Sequence, residues 1–125
     1  MRKTILILLV LSVASPAPAA APGSAQNFLE RAERLKAKGP LAFFDSDYGR
    51  LKAEATIAGK SIGDERIAAE RAGRPILYCS PSPRAELGSF EFIRGLEAIP
   101  RSQLAQMSVK EAMLRVLQKK YPCRR

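Results

Sequence analysis

Cys79 and Cys123 are the only two cysteines of the chain, and there is no histidine. A thiolate can act as a nucleophile or a metal ligand, but both roles usually recruit an imidazole as base or co-ligand. Lacking histidine, the chain also lacks the commonest general base near neutral pH. Two cysteines alone do not make a metal site, so no metal is expected. What remains is their chemistry with each other. In a chain that opens with an export signature, an even cysteine count reads as a disulfide, here between Cys79 and Cys123.

The carboxylates are the other candidates for chemistry. Asp45 with Asp47, and Glu91 with Glu97, are spaced like helix caps or exposed helix positions. The two carboxylates of a glycosidase can lie anywhere in a sequence, but there is no tryptophan to stack on a sugar. Residues 59–63 have two glycines but neither the spacing of a phosphate-binding loop nor its Lys-Ser/Thr ending. No catalytic residue and no cofactor are therefore expected. The residue types point to a binding or structural protein, not an enzyme.

Export is written at the start. Arg2 and Lys3 precede an almost uninterrupted apolar run over residues 4–13, and Ala17-Pro18-Ala19 supplies the small residues of a cleavage site. Cutting after Ala19 makes residues 1–19 a signal peptide and residues 20–125 a single domain, ordered over about residues 24–123. Cutting after Ala21 would also meet the small-residue rule, but would place Pro22 behind the scissile bond. The apolar run is shorter than the roughly 20 residues that span a bilayer, so no transmembrane segment is expected after cleavage. The expected location is the periplasm.

The chain carries 21 basic and 12 acidic residues. Losing Arg2 and Lys3 leaves 19 − 12 = +7. Nucleic acid is not the expected partner: the chain is exported, its aromatics do not interleave with its cations, and the cations are scattered except at Lys119, Lys120, Arg124 and Arg125. An acidic protein or the anionic envelope suits this charge better.

The elements follow from periodicity and punctuation. Ser24 caps a helix whose apolar face is Ala25, Phe28, Leu29, Ala32 and Leu35, with Glu30 and Arg34 paired on the other side. Gly39 and Pro40 stop it. Leu41, Phe43 and Phe44 form an apolar cluster in a brief helical turn. Asp45, Ser46 and Asp47 offer caps for a helix carrying Tyr48, Leu51 and Ala55. Residues 59–63 loosen the pattern, leaving open one kinked helix or two over residues 47–72. Ser61 with Asp64 is a capping pair for the second of these, which has the weakest apolar face.

Residues 76–79 read as extended, and Ser80-Pro-Ser-Pro is non-helical. Ser89 caps a helix that presents Phe92, Ile93, Leu96 and Ile99. Gly95 within it marks close approach of another helix. Ser108 and Glu111 form a capping box for a helix in which Val109, Ala112, Met113, Val116 and Leu117 share a face and Lys110 lies opposite. The fold class is all-α, a single small domain of four to six short helices with one disulfide.

Cys79-Ser-Pro, the helix over residues 90–96, Ile99-Pro100, the helix over residues 109–117 and the ending Tyr121-Pro122-Cys123 together resemble the Rap/Tai-type immunity proteins. The resemblance covers about 45 residues of the C-terminal third. It implies an exported helical protein that binds and neutralises a cell-wall amidase toxin delivered by type VI secretion, with a homodimer as one state. The first helices do not match closely, and the expected additional cysteines are absent. Two proline-bounded segments are candidate partner-binding surfaces: residues 80–88, with Arg84 and Glu86, and residues 100–107, with Arg101 and Gln103. Both also read as plain helix connectors. The alternative function is an envelope-associated accessory protein held by its basic surface to anionic polymer or lipid headgroups.

Overall fold

A computed structural model of the chain describes residues 23–82 and 85–124. The expected signal peptide and its cleavage site lie outside these residues. The described chain is all-α, with five α-helices and one 3-10 helix. In order they are α1 (Ala25–Ala37), the 3-10 helix (Gly39–Phe44), α2 (Ser46–Arg71), α3 (Ser89–Glu97), α4 (Arg101–Leu104) and α5 (Val109–Lys120).

Local chemistry starts and stops these helices. The Ser24 hydroxyl accepts from the Asn27 N–H at 3.1 Å and opens α1. Gly39 ends it with a φ of 56°, a left-handed conformation that costs glycine little. The Asp45 carboxylate accepts from the Asp47 N–H at 2.8 Å and opens α2. The capping box on α5 is complete. The Ser108 hydroxyl accepts from the Glu111 N–H, and the Glu111 carboxylate accepts from the Ser108 N–H, both at 3.1 Å. At α3 the cap is Gly88 instead of Ser89; the Glu91 carboxylate accepts from the Gly88 N–H at 3.3 Å.

The choice between one helix and two resolves as one. α2 runs unbroken for 26 residues through Gly49, Gly59 and Gly63. Ser61 and Asp64 are interior to it, and Asp64 pairs with Lys60 at 2.6 Å instead of capping a new helix. Gly59 is a contact point, since a Cβ there would lie 3.6 Å from the Met113 sulfur on α5. Small residues thus let the two helices pack closely.

α5 lies against α2 and α3, and α1 packs on α2, α3 and α4. The core between them holds Phe28, Leu29, Leu51, Ile62, Phe92, Leu96, Leu104, Met113 and Leu117. Leu29, Leu96 and Leu104 are fully enclosed, each contributing about 1.5–3 kcal/mol of burial. The rings of Phe28 and Phe92 meet at 5.6 Å. The N-terminal ends of α1 and α5 are tied side by side, the Ala25 N–H donating to the Met107 carbonyl at 2.8 Å.

Residues 74–80 return along this bundle without forming a strand. Two anchors hold them. Tyr78 is buried, and the guanidinium of Arg66 sits 5.0 Å above its ring while also donating to Glu70 and Ser80. The disulfide Cys79–Cys123 is present, and beside it the Cys79 N–H donates to the Tyr121 carbonyl at 2.8 Å.

Candidate docking surface

Of the four residues expected to bind a partner, Arg84 lies outside the described residues. Glu86 is exposed, and its backbone carbonyl accepts from the Lys120 ammonium at 2.8 Å and from the Tyr121 hydroxyl at 2.9 Å. Arg101 and Gln103 sit on α4, whose single turn is nailed down by Leu104. Arg101 donates to Glu33 on α1 at 2.6 Å, and Gln103 accepts from Arg115 on α5 at 2.6 Å. The structure therefore places these two on one short helix with internal partners, while Glu86 is held at the far end of α5.

Three of the four carboxylates weighed for chemistry, Asp45, Asp47 and Glu91, hold the fold. The Lys38 ammonium, followed by the Asp47 N–H, keeps the Asp45 carboxyl below the usual carboxylate range. Asp47 accepts from Arg31 at 3.1 Å, and the same guanidinium reaches Glu54 at 2.7 Å, bridging α1 to α2. Lys120 donates to Glu91 at 2.8 Å and lowers its pKa in the same way. A carboxyl held ionised by a neighbouring cation is a poor proton donor. Glu97 is exposed at the end of α3. Among the described residues, no group of three or more His, Cys, Asp or Glu side chains is placed to hold a metal ion.

The feature that stands out is apolar and lies between the first two long helices. With Gly39-Pro40 stopping α1 and Asp45 starting α2, the residues between close into a 3-10 helix. Its period of three sets Leu41 and Phe44 on one edge, with Phe43 adjoining. Ala42 alone of this turn packs against the core. Leu41 is 69% exposed, Phe43 68% and Phe44 89%. The Phe43 ring meets Tyr48, itself part exposed, edge-on at 5.2 Å. The helical turn expected from the sequence is there, but its apolar side chains face water.

Cations flank this patch. Residues 34–52 carry Arg34, Lys36, Lys38, Arg50 and Lys52 against Asp45 and Asp47, a local balance of 5 − 2 = +3. Both acids are already engaged by Lys38 and Arg31. Arg34, Lys36 and Lys52 are exposed and have no ion-pair partner among the described residues. The expected Glu30–Arg34 pair is absent because Glu30 accepts from Gln26 at 3.0 Å instead. Arg50 faces outward and adds to the positive field at Asp45.

The sequence did carry a signal for this surface. Three large apolar residues occupy four positions between two helix boundaries, too short a stretch to own a buried face. Large exposed apolar groups clustered together mark interaction surfaces in soluble domains. What these residues can do chemically is bind: apolar contact at the centre, positive charge at the rim. No family model, curated protein or solved structure matches this chain.

Proposed function

We propose that the chain is an exported, non-catalytic binding protein that docks through the corner formed by the end of α1, the 3-10 helix and the start of α2. The observation that carries this reading is the exposure of Phe44, at 89%, beside Leu41 and Phe43. The core closes without these side chains, so their exposure serves no purpose in folding. Burying each against a partner would return about 1.5–3 kcal/mol.

The resemblance of the C-terminal third gives this reading a more definite form: a periplasmic immunity-like protein that binds and neutralises a cell-wall amidase effector. In that form α3, α5 and the Cys79–Cys123 disulfide are the framework. The docking corner lies in the N-terminal half, which the resemblance does not reach. An envelope-associated accessory role is the second reading, favoured by Arg34, Lys36 and Lys52 at the same corner, which have no ion-pair partner among the described residues.

Site-directed photo-crosslinking tests the docking surface. A crosslinking side chain at position 44, in cells expressing the full chain, is expected to give discrete adducts. The same group at position 71, exposed at the far end of α2, is expected to give none. Equal labelling from both positions would remove the corner as a docking surface, and no adduct from either would remove a protein as its occupant. An adduct containing an amidase would support the immunity form.

A further inference from the structure

We propose that the occupant of this corner is an anionic lipid bilayer surface, met by interfacial insertion of Leu41, Phe43 and Phe44; the proposal rests on the reading of the corner as a docking surface. Two independent features point to lipid. The apolar side chains project from a turn and stand largely in solvent, Leu41 and Phe43 more than two thirds exposed and Phe44 almost fully. Protruding aromatics suit a fluid apolar boundary, because lipid closes around them without a complementary pocket.

The second feature is charge. Interfacial segments combine Phe, Leu and aromatic groups on the buried side with Lys and Arg flanking them. Here Arg34, Lys36, Arg50 and Lys52 flank the apolar tip from both adjoining helices, while Asp45 and Asp47 are neutralised within the fold. A bilayer bearing anionic headgroups therefore meets positive charge around an apolar tip. No described helix is long and apolar enough to cross a membrane, so the contact is with the surface. Long Lys and Arg stems can lie along the headgroup region while their charged ends stay hydrated.

The chain contains no tryptophan, which supplies a clean probe. Phe44→Trp in the purified chain gives a single tryptophan, excited apart from the tyrosines, at the most exposed large apolar side chain among the described residues. With vesicles containing about 30 mol % phosphatidylglycerol in phosphatidylcholine, its emission is expected to shift to the blue and to be quenched by lipids brominated near the headgroup. With phosphatidylcholine alone, no shift is expected. Adding Lys36→Glu and Lys52→Glu should weaken partition at least about tenfold, since each basic residue near an anionic surface adds about a factor of five. Replacing Leu41 and Phe43 by serine should abolish the shift while leaving the melting temperature within about 2 °C, as surface changes do.

Equal shifts with charged and neutral vesicles would overturn the anionic preference. No shift with either, alongside protein adducts from position 44, would overturn the lipid proposal and leave the docking surface standing. No shift and no adducts would remove both.

Discussion

A Cβ atom added to Gly95 would lie 2.7 Å from both methyl carbons of Val116. This is the closest approach that any glycine of the described residues makes, and it sets how tightly α3 lies on α5. Val116 is buried and β-branched, so it cannot swing aside cheaply. Gly95→Ala should therefore destabilise the protein by about 1–3 kcal/mol through overpacking, even though alanine favours helix. Combining it with Val116→Ala should cost less than the sum of the two single changes. Urea melts of the four proteins check this; additive losses would show that the two residues do not touch.

The disulfide closes a loop whose ends are separated by 44 positions. In the chain-entropy account such a loop is worth about 4 kcal/mol. Both cysteines are exposed, so a mild reductant should open the bond without denaturant. The reduced protein should melt well below the oxidised one, and Cys79→Ser/Cys123→Ser should match the reduced form. A melting temperature indifferent to reductant would show that the Tyr78 and Tyr121 anchors already hold the segment.

Helix α5 gives a third expectation. Val116 and Leu117 are buried against its neighbours, so aspartate at either position forces a charge into the seam and should unfold the domain. Lys110 was expected on the opposite face with little role, yet it pairs with Glu65 on α2. Lys110→Asp would set two carboxylates against each other. Its cost should stay near or below about 1 kcal/mol, because the pair is partly exposed. Circular dichroism melts separate these cases; a folded Leu117→Asp would contradict the packing.

Acid should loosen the two capped carboxylates. Lys38 holds Asp45, and Lys120 holds Glu91, below the ordinary carboxylate pKa. A depressed folded pKa contributes stability that is present above the unfolded value, near about 4, and is lost as pH falls through the folded one. Melting temperature should therefore fall below about pH 4. Glu91→Gln should lower the plateau above it by the contribution removed and flatten part of that fall. An unchanged acid arm in Glu91→Gln would mean that the Lys120–Glu91 contact is not formed in solution.

The fold was largely legible because its signals are local. Ser24, Asp45 and the Ser108/Glu111 box announce helix starts, Gly39-Pro40 announces a stop, and the apolar period of α5 names its buried face. The continuity of α2 was not legible. Its glycines are weak helix formers, and only packing on α5 through Gly59 shows why the helix runs on. Arg66 was missed because its role depends on Tyr78 and Ser80 coming back across α2, a long-range arrangement that periodicity does not encode. The candidate surface was half legible. The turn at Leu41, Phe43 and Phe44 follows from the residues, but whether it faces in or out depends on the angle between α1 and α2. Arg101 and Gln103 were singled out from proline boundaries, which cannot reveal that Glu33 and Arg115 already engage them.

The central claim is that the corner around Phe44 docks the protein on the anionic surface of a bilayer. The most direct measurement compares the full chain with its Phe43→Ser/Phe44→Ser variant for the fraction that stays with the envelope after gentle release of soluble periplasmic contents, with melting curves of both. The account expects the wild type to be retained and the variant released, their melting temperatures nearly equal. A variant retained as fully as the wild type, or a wild type released as freely as the variant, would contradict it.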